Sequence, residues 1–133
     1  MTLVQDGAHL AQFPPRVSGR TSFAPATDQG RAVLQVVTNY VWAYAFDGDM
    51  VVVVHDELRW NFLRAAEARD STRGPWPGGI AGYLMGMDCA AAGHGFLAPP
   101  SSPGVATSVA STERPGSLYE PDHSLAITDT CPA

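Results

Sequence analysis

The stretch LQVVTNYVWAYAFDGDMVVVV, residues 34–54, decides how this chain folds. Leu34, Val36, Tyr40, Trp42, Tyr44 and Phe46 occupy even positions, with Thr38 the one small polar member, while Gln35 and Asn39 occupy odd ones. An apolar period of two sustained over this length predicts a strand with one buried face. Asp47-Gly48-Asp49 follows, and Gly48 can take positive φ without steric cost, so a tight turn is expected there. Met50 to Val54 is largely β-branched and apolar on both faces, as suits a strand covered on both sides. The centre of the protein is thus expected to be an antiparallel hairpin over about 33–46 and 50–55.

Beyond the hairpin, Asp56 can cap a helix over about 57–69, with Glu57 in its first turn and Leu58, Phe62, Ala65 and Ala66 on one stripe. Gly74-Pro75-Trp76-Pro77-Gly78-Gly79 ends any such helix, and a second is expected over about 80–92. Gly82, Gly86 and Ala90 recur there at intervals of four, a ridge of small residues that predicts close approach of another element. The expected class is α+β: a small antiparallel sheet built on the central hairpin, with one or two packed helices. A two-stranded sheet is marginal in water and leaves open edges. Further strands must therefore come from Val105–Val109, from Ser124–Thr128 or from another subunit.

Composition divides the chain into three zones. Residues 31–97 hold all three Trp and nine of the twelve aromatics, and form the expected α+β core. Residues 1–30, with Pro14, Pro15 and Pro25, have no sustained period and read as an irregular N-terminal arm. Residues 98–133 carry six of the eleven prolines and a Ser/Thr-rich run, and read as a C-terminal arm. At 133 residues the chain is the size of one domain. Its net charge of −5, with no Lys and no Arg run, argues against nucleic acid as a partner. The first residues have neither a basic region nor a long apolar one, and no stretch is long and apolar enough to span a membrane. Cys89 and Cys131 lie far apart and outside metal-type spacing, so free thiols and synthesis in a reducing cytoplasm are expected.

Few residues carry a chemical signal. His55-Asp56-Glu57 could supply an imidazole and a carboxylate as an acid–base pair. Adjacent strand residues point to opposite faces, however, so a capping Asp56 and a strand-end His55 are the plainer reading. Met85, Met87, Cys89 and His94 are soft ligands that would bind Cu(I) only if the fold converged them. Tyr40, Trp42 and Tyr44 could line a ligand pocket, although an aromatic strand face more often forms core. No nucleophile elbow, phosphate loop or dinucleotide fingerprint is present, and no cofactor is called for.

Taken together, these features predict a non-enzymatic structural subunit of a large homo- or hetero-oligomeric assembly. A virion decoration, cement or connector component is the type expected. Its arms would grip neighbouring proteins through Phe13, Phe23, Leu118, Tyr119, Leu125 and Ile127. The C-terminal zone carries Glu113, Glu120, Asp122 and Asp129 against Arg114, which suits a basic partner surface. The alternative is a small α+β enzyme or binding protein using the aromatic pocket and His55 with Asp56.

Overall fold

In the computed structural model, which describes residues 4–64, 67, 74–101, 116–127 and 131, the chain is an antiparallel meander. Its strands are β1 (Arg16–Asp28), β2 (Arg31–Phe46), β3 (Met50–Leu63) and β4 (Trp76–Met85), in spatial order β1-β2-β3-β4. The only described helices are α1 (Cys89–Gly93) and a single 3-10 turn at Ser117–Tyr119. The class is therefore antiparallel β with little helix, a correction to the α+β expectation.

The hairpin at the centre is present, with Phe46 paired to Met50 across Asp47-Gly48-Asp49. Positive φ falls on both Gly48 and Asp49. β3 then runs on where a helix was expected, because Glu57-Leu58-Arg59-Trp60-Asn61-Phe62 alternates polar and apolar residues as a strand requires. Good helix formers give way to pairing along most of β2, from Phe46↔Met50 to Val33↔Leu63. Residues 65–66 and 68–69 of that expected helix lie outside the described residues.

The second expected helix, about 80–92, is likewise mostly strand: β4 continues to Met85, and only Cys89–Gly93 is helical, capped by the Asp88 side chain on Ala91 N–H at 2.9 Å. The small residues read there as a helix ridge do mark close approach. A Cβ at Gly82 would overlap the His55 carbonyl oxygen, and one at Gly86 the Val51 carbonyl. Among the described residues the sheet is completed by β1 and β4. β1 arises from the zone read as an irregular arm, its period hidden by Gly19 and Pro25, which an edge strand tolerates. Val105–Val109 and Thr128 lie outside the described residues, and 124–127 is not a strand.

Register sorts the side chains into two faces. One carries Val41, Asn39, His55, Tyr83, Gln35 and Asn61. The other, the aromatic face, carries cross-strand rows: Pro25–Leu34–Phe62, then Phe23–Val36–Trp60–Pro77, then Thr21–Thr38–Leu58–Ile80. Further rows follow toward Phe46 and Met50. At that lower end Phe46, Val52 and Met87 form a buried cluster, roofed by Val4, Ala8, Ala92 and Leu97. The N-terminal segment is tied there by Ala11 N–H to the Ala45 carbonyl at 2.9 Å and by a bridge from Val4 to Leu97.

Cys89 and Cys131 form a disulfide. This corrects the expectation of free thiols: chain separation of 42 residues is overruled by a fold that brings their Cα atoms to 5.2 Å, a bridging distance. It also removes the ground on which a reducing compartment was expected. Closing a loop of this length restricts the unfolded chain, so reduction or Cys131→Ser should lower unfolding free energy by about 2–4 kcal/mol. Denaturant titrations with and without reductant check this, and the Cys131→Ser protein should be insensitive to reductant.

Candidate functional site

His55 sits mid-way along β3, between Val41 of β2 and Tyr83 of β4, and is 1% exposed. It is a polar residue in the most covered part of the sheet, and its partners follow from register. Its Nε2–H donates to Asn39 Oδ1 at 2.8 Å, one residue pair along on β2. The other ring nitrogen, Nδ1, is buried without a hydrogen-bond partner. Tyr83 meets the imidazole edge-on, ring centroids 5.0 Å apart.

A strap formed by residues 116–127 closes over this pair. Tyr83 Oη donates to the Leu118 carbonyl at 2.9 Å, Leu118 is buried, and the His123 ring stands edge-on to Tyr83 at 5.9 Å. Asp122 forms an ion pair with Arg20 of β1. The Arg20 hydrogen bond and charge hold the Asp122 carboxyl below its usual range, but both groups are exposed and such pairs add little stability. Farther up the same face a second polar chain runs across the strands. Gln35 Nε2 donates to Asn61 Oδ1 at 3.0 Å, and Asn61 Nδ2 and Trp76 Nε1 both donate to Asp28 Oδ2, at 3.2 and 2.8 Å.

Asp56 is on the opposite face from His55, as strand alternation demands. Burial pushes its carboxyl up, offset by His55 and by a hydrogen bond from Trp42. Glu57 returns to the His55 face but is paired with Arg59 at 2.5 Å. Strand alternation thus directs His55 and Asp56 of the enzymatic alternative to opposite faces, His55 bonding an amide, while both border one cavity beside β4.

Tyr40, Trp42 and Tyr44 share the aromatic face, and the Tyr40 and Trp42 rings stand tilted to each other, 6.1 Å between centroids. Tyr40 meets Thr21 Oγ1 at 3.0 Å, Trp42 bonds Asp56, and Tyr44 packs against the Phe46 cluster. Met87 is core, Met85 lies across from Val53, His94 is exposed after α1, and Cys89 is consumed by the disulfide, which removes the thiolate from the proposed soft-metal set. Among the described residues no three His, Cys, Asp or Glu side chains gather as a metal site. No helix of the described structure is long and apolar enough to cross a membrane.

Of the expected arm anchors, Leu118 is buried against its own sheet, and Leu125 and Ile127 are half-buried, Ile127 beside β4 in a cavity of about 490 Å³ that also borders His55 and Tyr83. Phe13 and Tyr119 line one groove of about 730 Å³ floored by Val41, Ala43, Ala45 and Val51. Phe23 is 75% exposed on the aromatic face. Asn39, Tyr83, Asn61 and Asp28, which organise the polar face, were not singled out as site residues. The one sequence signal for them is the odd-position polarity of Gln35 and Asn39 within an apolar strand.

Comparison with protein-family models, with curated proteins and with solved structures finds no match.

Burial pulls the His55 imidazole below its ordinary value of 6.5, reinforced by His123 and opposed by Asp56 and Glu57. The unfolded chain then takes up the proton more readily than the fold does, so stability present above that pH is lost as pH falls through the folded value. Thermal melts between about pH 7.5 and 5 should show Tm falling with acidity, and His55→Gln should flatten that fall. An undiminished slope in His55→Gln would assign it to another group.

Proposed function

We propose that this protein is a non-enzymatic structural subunit of a larger assembly, and that neighbours join it through the upper part of the aromatic sheet face. Decoration, cement and connector components of a virion are the kind of protein that fills such a role. The observation that carries the proposal is where the roof over this face ends. The segment around Val4, α1 and Leu97 covers the lower rows, while Phe23 and Ile80, 75% and 79% exposed, stand out from the upper ones. Leu34 is also exposed, and Val36, Leu58, Trp60 and Phe62 are only half-buried between them. Apolar side chains contiguous across four strands mark an interaction surface more often than they mark free surface. Fully burying a side chain such as Phe or Ile contributes about 1.5–3 kcal/mol, a gain still open here.

The site on the other face gives the reading indirect support. His55 is 1% exposed and bonds the Asn39 amide, an arrangement that organises the sheet. The interface moves, however, from the arms to the sheet, because Leu118 and its neighbours are engaged with their own chain.

The native mass of the protein as isolated from its source tests the proposal. A particle or complex far above 14.1 kDa is expected. Recovery as a free single chain with full solubility would overturn it.

A further inference from the structure

We infer that the occupant of the upper aromatic face is a second copy of this chain, packed face to face so that two four-stranded sheets form a sandwich. This rests on the assembly reading above and names its partner.

Joining at the sheet edges is disfavoured by the chain itself. Asp28 and Arg31 close the β1–β2 hairpin over the two-residue turn Gln29-Gly30, both at positive φ. The closing pair of such a hairpin is hydrogen-bonded, so even residues of β1 direct their backbone groups to β2 and odd ones to the open edge. Pro25 is odd, and it removes a donor from the middle of that edge. β4 opens with Trp76-Pro77-Gly78 beside a register shift at Arg59/Trp60, so the start of the other edge is irregular and lacks the Pro77 donor. Proline and bulges on edges are the usual means of preventing strand addition.

The chemistry of the aromatic face selects the partner. The three upper rows contain no ionisable side chain, although the chain carries thirteen acidic and eight basic residues. The first carboxylate met below them, Asp56, is already bonded by Trp42. A strongly acidic or basic partner would find nothing to pair with, whereas an uncharged face matches its own copy. Relief points the same way. Phe23 on β1 and Ile80 on β4 project from the outer strands, and half-buried Val36, Leu58 and Trp60 lie lower between them. Two ridges flanking a valley are complementary to a copy turned about a two-fold axis and set over by one strand. Sheets packed in this way stand about 10 Å apart with interdigitated side chains. An interface of this type is isologous and closes at two copies, leaving the strap, the groove at Phe13 and the hairpin tip outside.

Sedimentation velocity on the purified full chain tests the inference, at concentrations between about 1 and 100 µM. The expected species has twice the 14.1 kDa chain mass, and Trp60 emission shifts to shorter wavelength as it forms. Phe23→Asp and Ile80→Asp should each weaken association at least about tenfold, with sheet content unchanged, because both side chains are exposed in the single chain. Val51→Asp, on the opposite face, should leave association intact. A single chain throughout the range, or a dimer indifferent to Phe23→Asp and Ile80→Asp, overturns the second copy as occupant. So does binding to phosphatidylcholine vesicles that both substitutions abolish while no dimer forms. If the purified chain is single while its native mass is large, the second copy fails and the assembly reading stands. A native mass of one chain fails both.

Discussion

The pairing of β2 with β3, unbroken from Phe46↔Met50 to Val33↔Leu63, is the constraint on which the rest of the molecule depends. Each of these strands has a neighbour on its other side, β1 on β2 and β4 on β3, so neither exposes an edge. Because register is shared across four strands, one residue of slip would send His55 to the aromatic face and Trp60 to the polar one. The apolar rows hold the register, and the polar pairs confirm it. His55 meets Asn39, and Asn61 meets Gln35, only in this alignment.

That shared register also explains how two buried polar side chains, His55 and Asn61, are tolerated in the sheet. Buried amides and imidazoles are costly unless bonded. Here Asn61 is bonded on both sides, to Gln35 and Asp28, and Trp76 closes the chain from β4. His55 is satisfied at one nitrogen only, which couples its burial to pH. The strap seals this region with a buried Leu118 and a carbonyl for Tyr83, while the disulfide from α1 to Cys131 holds the chain beyond the strap. The polar face is thus finished within a single chain.

The aromatic face is not. Its lower rows have a roof from the N-terminal segment and α1, and its upper rows have none among the described residues. The two faces therefore differ: the strap covers part of one, while the other leaves Phe23 and Ile80 exposed. The groove beside Phe13 and Tyr119 is a smaller apolar surface on the finished face, formed because Ala43 and Ala45 leave room where larger side chains stand elsewhere.

The sequence by itself determined the central hairpin and its turn, since the two-residue period of Leu34 to Phe46 and the Asp-Gly signal are local and need no partner to be read. It also determined that two strands could not suffice, because the Val run has no polar face. The continuation of β3 was legible in the alternation from Glu57 to Phe62, but that segment is rich in good helix formers, and such a conflict is resolved only by whether a strand stands alongside. β1 and β4, strands that carry proline and glycine, became strands because β2 and β3 offered unpaired backbone to them. Which face His55 shares, and with whom, also lay outside the sequence. Asp56 is its neighbour in the chain, yet Asn39 and Tyr83 are its neighbours in space, because pairing across a sheet brings together residues that sequence distance keeps apart. The disulfide followed the same rule: 42 residues of separation said nothing about proximity until the strands set the positions of both ends.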